Sequence, residues 1–176
     1  MPSYIATTAF GLEAVVKREI IKLNYGNIKV LDGRVDFEAG LEALAEANIH
    51  LRCADRLLLK IGEFEATTFD SLFEQTKALP WDEWIPEKGK FTVTGKSVRS
   101  GLFSVPDIQS IVKKAVVEKL KQKYNVSWFV ETGPEYTIQA ALLKDTVRQY
   151  RHGHLLNVVG DDKVPALHQR VHLRRV

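Results

Sequence analysis

The chain has 176 residues, 45% of them hydrophobic and 27% charged, with a formal net charge of +3. These values suit one core or two small packed subdomains and exclude wholesale disorder. A single cysteine, Cys53, excludes an intrachain disulfide and a cysteine-based zinc cluster. No apolar run approaches the ~20 residues of a membrane span and no signal-peptide pattern opens the chain, so the cytoplasm is the expected compartment.

Tyr4 to Thr8 reads as a first strand. Gly11 then opens a helix with Leu12, Val15, Val16, Ile20 and Leu23 at helical spacing, ending near Asn24-Tyr25-Gly26. Ile28, Val30, Val35 and Phe37 alternate with polar residues on either side of Asp32-Gly33, which predicts a hairpin with a type I′ turn. Leu41 to Leu51 reads as a second helix, with Cys53 a buried, inert thiol beyond it, and Arg56 to Phe64 as an apolar strand. The order β-α-β-β-α-β is that of a ferredoxin-like domain.

Thr67 with Asp70 starts a third helix carrying Leu72, Phe73 and Leu79, which stops before Pro80 because the residue preceding proline avoids the α region. Trp81 and Trp84 follow, read as packing residues rather than base-stacking ones. Phe91 and Val93 alternate with Thr92 and Thr94 in a strand, and Gly95, Lys96, Ser97, Arg99, Ser100 and Gly101 form a basic loop. Ser104 and Asp107 form a weak capping box around Pro106 at the start of a long helix. Its core stripe is Ile108, Ile111, Val112, Ala115, Val116 and Leu120. Ser110, Lys114 and Lys121 share the outward face with Lys113 nearby, while Lys119 and Lys123 snorkel past the helix end.

Guanidinium, ammonium, hydroxyls and backbone N–H groups thus gather where a loop enters a helix N-terminus, as a phosphate-binding surface requires; a solvated helix with ordinary surface lysines fits the same residues. Trp128 and Phe129 read as a short strand, and Tyr136, Ile138, Ala140 and Leu142 as a clearer one ending at Lys144-Asp145. Beyond it Arg148, Arg151, His152, His154, His168, Arg170, His172, Arg174 and Arg175 lie in a stretch without sustained periodicity, read as a solvated basic tail rather than a metal site. Residues 1–95 carry 11 Lys and Arg against 15 Asp and Glu, whereas residues 96–123 carry 7 against 2. A chain acidic at the front and basic behind suits a polyanionic partner.

No phosphate-binding P-loop, serine elbow or dinucleotide-binding glycine fingerprint is present, and no spacing singles out a catalytic acid and base. No catalytic, cofactor-binding or metal-binding residue is therefore assigned.

Three runs carry a resemblance: FGLEAVVKREI, LRCADRLLLKIGEFEATTFDSLFEQTKALPWDEWIP and GKSVRSGLFSVPDIQSIVKKAVVEKL. They resemble the N-terminal part of bacterial THUMP-domain RNA methyltransferases, often labelled N6-adenine-specific DNA methylases and related to ribosomal RNA guanine-N2 methyltransferases. The resemblance runs to about Asp145. It implies an α+β fold, with a ferredoxin-like N-terminal subdomain over residues 1–66 packed with an α/β THUMP domain over residues 67–146, and a divergent basic tail over residues 147–176. It further implies that Lys96, Ser97, Arg99, Ser100, Gln109, Lys113 and Lys114 contribute to a surface for structured RNA, ribosomal or transfer RNA. The family methylates with S-adenosylmethionine through a further domain whose glycine-rich turn and N/D-P-P-F/Y motif do not occur in these 176 residues. The expected cofactor of this chain itself is therefore none. Leu167-His168-Gln169-Arg170 resembles a family motif, but Val171 stands where glycine is expected. The expected function is an RNA-holding module of a methyltransferase. A subunit acting with a catalytic partner in trans and a protein-interaction module are the alternatives. An apolar edge left open by the tail would favour a dimer.

Overall fold

A computed structural model describes residues 1–152. They form two compact units, one of residues 1–59 together with His152 and one of residues 60–151. The strand β4, Arg56–Glu65, begins in the first unit and ends in the second. The fold is mixed α+β.

The first unit comprises β1 (Ser3–Thr7), α1 (Glu13–Lys22), β2 (Gly26–Leu31), β3 (Arg34–Glu38), α2 (Ala43–His50) and the start of β4, in the sheet order β2-β3-β1-β4. β3 pairs antiparallel with both β1 and β2, so the predicted βαββαβ order closes into a ferredoxin-like sheet. Val35 and Phe37 point inward at strand spacing, and Val16 and Ile20 meet them from α1 at i, i+4. Phe37 stacks between Tyr4 at 5.5 Å and Tyr25 at 5.2 Å. Burial, then the bonded Glu46 carboxylate, push the Tyr25 phenol above its ordinary range.

The turn between β2 and β3 is the predicted Asp32-Gly33, but it is not type I′. Gly33 has φ +71°, whereas Asp32 is absent from the positive-φ residues that such a turn needs at both centres. Gly33 donates its N–H to Glu13 Oε1 at 2.9 Å and accepts the Thr8 N–H at 2.9 Å, and these tertiary bonds fix the turn. Helix α1 starts two residues after Gly11, whose φ of +89° is not helical. Cys53 is half-buried rather than buried. Its N–H approaches Glu19 and its carbonyl accepts the Thr8 hydroxyl at 2.8 Å.

The second unit contains the rest of β4, α3 (Phe69–Ala78), a 3₁₀ turn (Trp81–Glu83), β5 (Lys90–Val98), α4 (Val105–Tyr124), β6 (Glu135–Leu143) and all but the last residue of β7 (Thr146–His152). Its strand order is β4-β7-β6-β5. β5 and β6 are parallel, and α4 is the crossover that a parallel pair requires. Of the expected stripe on α4, Ile108, Val112, Ala115, Val116 and Leu120 are fully buried and Ile111 is half-buried; all but Ala115 join the cluster of Phe91, Tyr136, Ile138 and Ala140. Each fully buried valine, leucine, isoleucine or phenylalanine among them contributes about 1.5–3 kcal/mol by leaving water. Trp81 is wholly buried and donates its indole N–H to the Thr76 carbonyl at 2.8 Å; Trp84 is half-buried.

Three expectations fail at local level. The N-cap of α3 is Thr68, one residue later than predicted, and it accepts the Ser71 N–H. Ser104 caps α4 by position, but its side chain makes no cap hydrogen bond; Pro106 in the first turn supplies no N–H for it. No strand forms at Trp128 and Phe129: Phe129 packs edge-on to Phe91 at 6.2 Å, while Trp128 is exposed with Lys121 over its ring at 5.9 Å.

The stretch read as a basic tail begins instead with a strand. β7 pairs antiparallel with β6 through residue 151, and Arg148, Gln149 and Arg151 are structural. Arg148 bonds Glu63 at 2.9 Å, Gln149 donates to the Thr76 hydroxyl at 2.7 Å, and buried Arg151 lies 4.5 Å from the Tyr136 ring centroid. Their polar side chains on a core-facing strand hid it from a reading of apolar alternation. His154, His168, His172, Arg170, Arg174, Arg175 and the Leu167–Arg170 segment lie outside the described residues.

Candidate nucleic-acid interface

Strand alternation divides β5 into two faces. Phe91, Val93, Gly95 and Ser97 face α4; Lys90, Thr92, Thr94, Lys96 and Val98 face the other way. Gly95 is a close-approach position: a Cβ there would lie 2.9 Å from Val105 Cγ1 and 3.1 Å from Gln109 Cγ. The first turns of α4 can rest on the strand only because this residue lacks a side chain.

After Val98 the chain turns through Arg99, held at φ +51°. An arginine in the left-handed region costs about 1–2 kcal/mol relative to the right-handed one, so surrounding bonds must hold it there. Those bonds come from the β6–β7 turn. Leu143 pairs with Thr146 around Lys144-Asp145, at φ +50° and +62°, the two positive angles of a type I′ hairpin. Lys144 donates its N–H to the Val98 carbonyl at 3.2 Å, Asp145 N–H donates to Ser100 Oγ at 3.0 Å, and Gly101 N–H donates to Asp145 Oδ1 at 2.7 Å. The two loops are thus stitched together at one end of the sheet.

The seven residues expected on an RNA-facing surface separate into distinct groups. Lys96 and Arg99 are exposed, and the side chain of neither makes a hydrogen bond or ion pair with another described residue. Ser97 and Ser100 are structural: their hydroxyls donate to the Leu102 carbonyl at 2.6 Å and the Val98 carbonyl at 3.3 Å. Gln109 is half-buried over Gly95. Lys113 pairs with Glu131 at 3.2 Å and lies 5.4 Å from the Phe91 ring. Lys114 is exposed and shares the Phe73 ring with Lys77, at 5.7 and 5.8 Å from the centroid.

Lys96 and Arg99 therefore sit together, whereas Lys113 and Lys114 lie about 14 Å along α4 from its start and on the opposite face of β5 from Lys96. Two residues at the loop end escaped the sequence reading. Lys144 is exposed beside Val98, and Phe103 is 82% exposed ahead of α4. A two-residue gap between Leu143 and Thr146 was the available signal for the first, but Lys-Asp lacks the glycine that usually marks such a turn.

Among the described residues there is no group of three or more His, Cys, Asp and Glu able to hold a metal ion, and no helix is long and apolar enough to cross a membrane.

Residues 3–58 match the RlmL ferredoxin-like domain, and residues 66–148 match the THUMP domain. YpsC of Bacillus subtilis strain 168, described as a candidate RNA methyltransferase, is 52% identical over 143 residues, which are 80% of this chain and 37% of YpsC. A ribosomal RNA large subunit methyltransferase K/L from Magnetococcus marinus is 27% identical over 127 residues, 70% of this chain and 17% of that protein. The crystal structure of SMU.472, a candidate methyltransferase complexed with SAH, superposes with a TM-score of 0.83 at 41% identity, covering 86% of this chain and 41% of that one. The chain thus spans well under half the length of these relatives. It carries an RlmL ferredoxin-like domain followed by a THUMP domain, and belongs with the N-terminal part of the RlmL/YpsC-type methyltransferases.

Proposed function

We propose that this chain is the RNA-holding part of a cytoplasmic S-adenosylmethionine-dependent RNA methyltransferase, of the ribosomal RNA guanine-N2 type. It binds structured RNA and delivers it to a catalytic domain outside these 176 residues. In this reading residues 1–66 form the ferredoxin-like domain, and the RNA-holding unit runs from residue 67 through β7, six residues past the boundary expected at 146. The observation that carries the proposal is the THUMP domain itself, whose exposed Lys96, Arg99 and Lys144 gather at one end of its sheet. Three cations on phosphates release condensed counterions. Affinity for a structured ribosomal RNA fragment should then fall about 20–40-fold between 50 and 200 mM salt. Lys114, exposed on α4 away from this array, offers a separate contact, while Ser97, Ser100, Gln109 and Lys113 shape and support the surface.

Filter binding of that fragment across the salt series is the test; no binding at low salt sinks the reading. SMU.472 was solved with SAH and extends well beyond the region shared with this chain, which supports assigning the cofactor chemistry to that remainder. Incubation of this chain alone with labelled S-adenosylmethionine and RNA should transfer no methyl group. Transfer would make the chain an enzyme in its own right.

A further inference from the structure

Asp145 stands where three chain segments meet, and its polar groups tie its own turn to the other two. Its carboxylate accepts the Gly101 N–H at 2.7 Å, its own N–H donates to Ser100 Oγ at 3.0 Å, and its carbonyl accepts the Ala66 N–H at 3.0 Å. Ala66 lies two residues ahead of Thr68, the N-cap of α3. The neighbouring Lys144 N–H closes onto the Val98 carbonyl at 3.2 Å. Arg99 is therefore flanked on both sides, at Val98 and at Ser100, by bonds to this one turn, and it keeps its left-handed φ of +51° between them.

We propose that Asp145 is a positioning residue for RNA binding. Through the Gly101 amide it holds the Arg99 loop against the turn that carries Lys144, so that Lys96, Arg99 and Lys144 meet the RNA backbone as one array. This rests on the RNA-binding reading above.

The proposal makes a prediction opposite in sign to simple electrostatics. A carboxylate among three cations repels a phosphate backbone, so deleting it should tighten binding if charge alone matters. If Asp145 acts by positioning, its loss should weaken binding although the net charge becomes more positive. Asp145→Asn keeps an oxygen that accepts from Gly101 and removes only the charge. Asp145→Gly removes the acceptor and is at ease at φ +62°, so backbone strain does not enter. Gly101→Pro deletes the same bond from the donor side with no change in charge.

The affinity of the full 176-residue chain for a structured ribosomal RNA fragment is measured across a salt series, with thermal unfolding of each variant alongside. Asp145→Asn should bind within about twofold of wild type, or tighter. Asp145→Gly and Gly101→Pro should each bind about tenfold more weakly, with a log–log salt slope flatter by about 1–2. The double variant should be no weaker than either single one, since both remove one bond. Equal or tighter binding by Asp145→Gly overturns the positioning role, as does a loss in Asp145→Asn as large as that in Asp145→Gly. If Asp145→Gly does not fold, wild-type affinity in Gly101→Pro overturns it instead. A wild-type chain that binds no RNA overturns the RNA reading and this role with it. A wild-type chain that binds while Asp145→Gly is unaffected overturns this role alone.

Discussion

In the first unit Glu13 accepts the amides of Gly11 at 2.8 Å and Gly33 at 2.9 Å; in the second Asp145 accepts that of Gly101 at 2.7 Å. Each carboxylate ties a loop glycine beside a two-residue hairpin turn. What surrounds the tie differs. The first unit places Phe10, Leu12 and Leu31 there, exposed and apolar, and its nearby Arg34 is engaged with Asp36 at 3.4 Å. The second places Lys96, Arg99 and Lys144, all exposed. The second tip also exposes Phe103, so a shared device for tying loop tips presents apolar surface in both units and adds a cation array in the second. The tie is common to both, and charge decides which tip suits a polyanion.

The sharpest way to break this contrast is to remove the charges. Replacing Lys96, Arg99 and Lys144 together with Ala should lower RNA affinity at 0.1 M salt about 100-fold, since each lost phosphate contact forfeits its counterion release. Replacing Lys17 and Lys29 of the first unit should change affinity less than about twofold. Equal losses in the two variants, measured by equilibrium filter binding, would dissolve the distinction between the tips.

The next test acts on the tie rather than the tip. Hydrogen bonds from the backbone of Gly33, then of Glu13 itself, lower the pKa of Glu13 below its ordinary 4.5 against an opposing effect of burial, with a lesser contribution from Gly11. A folded-state value below the unfolded one means that Glu13 contributes stability above the ordinary carboxylate range. That contribution fades as pH falls through the depressed value. Glu13→Ala should therefore lower the melting temperature at neutral pH and narrow its gap to wild type in acid, with RNA affinity unchanged. A gap that stays constant with pH would show that the carboxylate's charge is not what holds Gly33.

How much of this was legible depended on whether local pattern and tertiary burial agreed. On α4 the stripe from Ile108 to Leu120 is apolar and buried, so periodicity sufficed. At β7 they disagree: Gln149 and Arg151 face the core, beside the Thr76 hydroxyl and the Tyr136 ring, and a polar strand with a buried face reads as a tail. The Lys144-Asp145 turn was hidden because its positive φ angles fall on residues that do not advertise them, whereas Asp32-Gly33 advertised two and uses one. At the candidate site, exposure separates free cations from engaged ones, and sequence carries no mark that Lys113 faces Glu131 while Lys96 faces solvent.

Arg148 gives a smaller test of the same point. Burial alone would raise the pKa of Glu63, but bonds from Lys60 and Arg148 outweigh it and bring the value below 4.5. The pair's stabilisation is thus present above the ordinary carboxylate range and lost as pH falls through the lowered value. With side chains 25% and 34% exposed, solvent screening limits it to about 0.5–1 kcal/mol. Arg148→Ala should cost that much in denaturant unfolding at pH 7. It should leave the RNA salt slope unchanged, because this cation is already engaged; a flatter slope would put Arg148 on the RNA surface.

The smallest effects are expected at the aromatic tips. Phe10 and Phe103 are 81% and 82% exposed, so replacing either with Ala removes almost no buried area and opens no cavity. Each substitution should shift stability by no more than about 0.5 kcal/mol, the ordinary range for surface positions. Chemical denaturation of the two variants checks this, with unchanged m-values marking an unaltered unfolding transition. A loss near 2 kcal/mol at Phe103 alone would mean that its ring packs in solution against the loop that Asp145 holds. The second tip would then owe its shape to apolar contact as well as to hydrogen bonds, and the parallel with the carboxylate tie at Glu13 would fail at its second member.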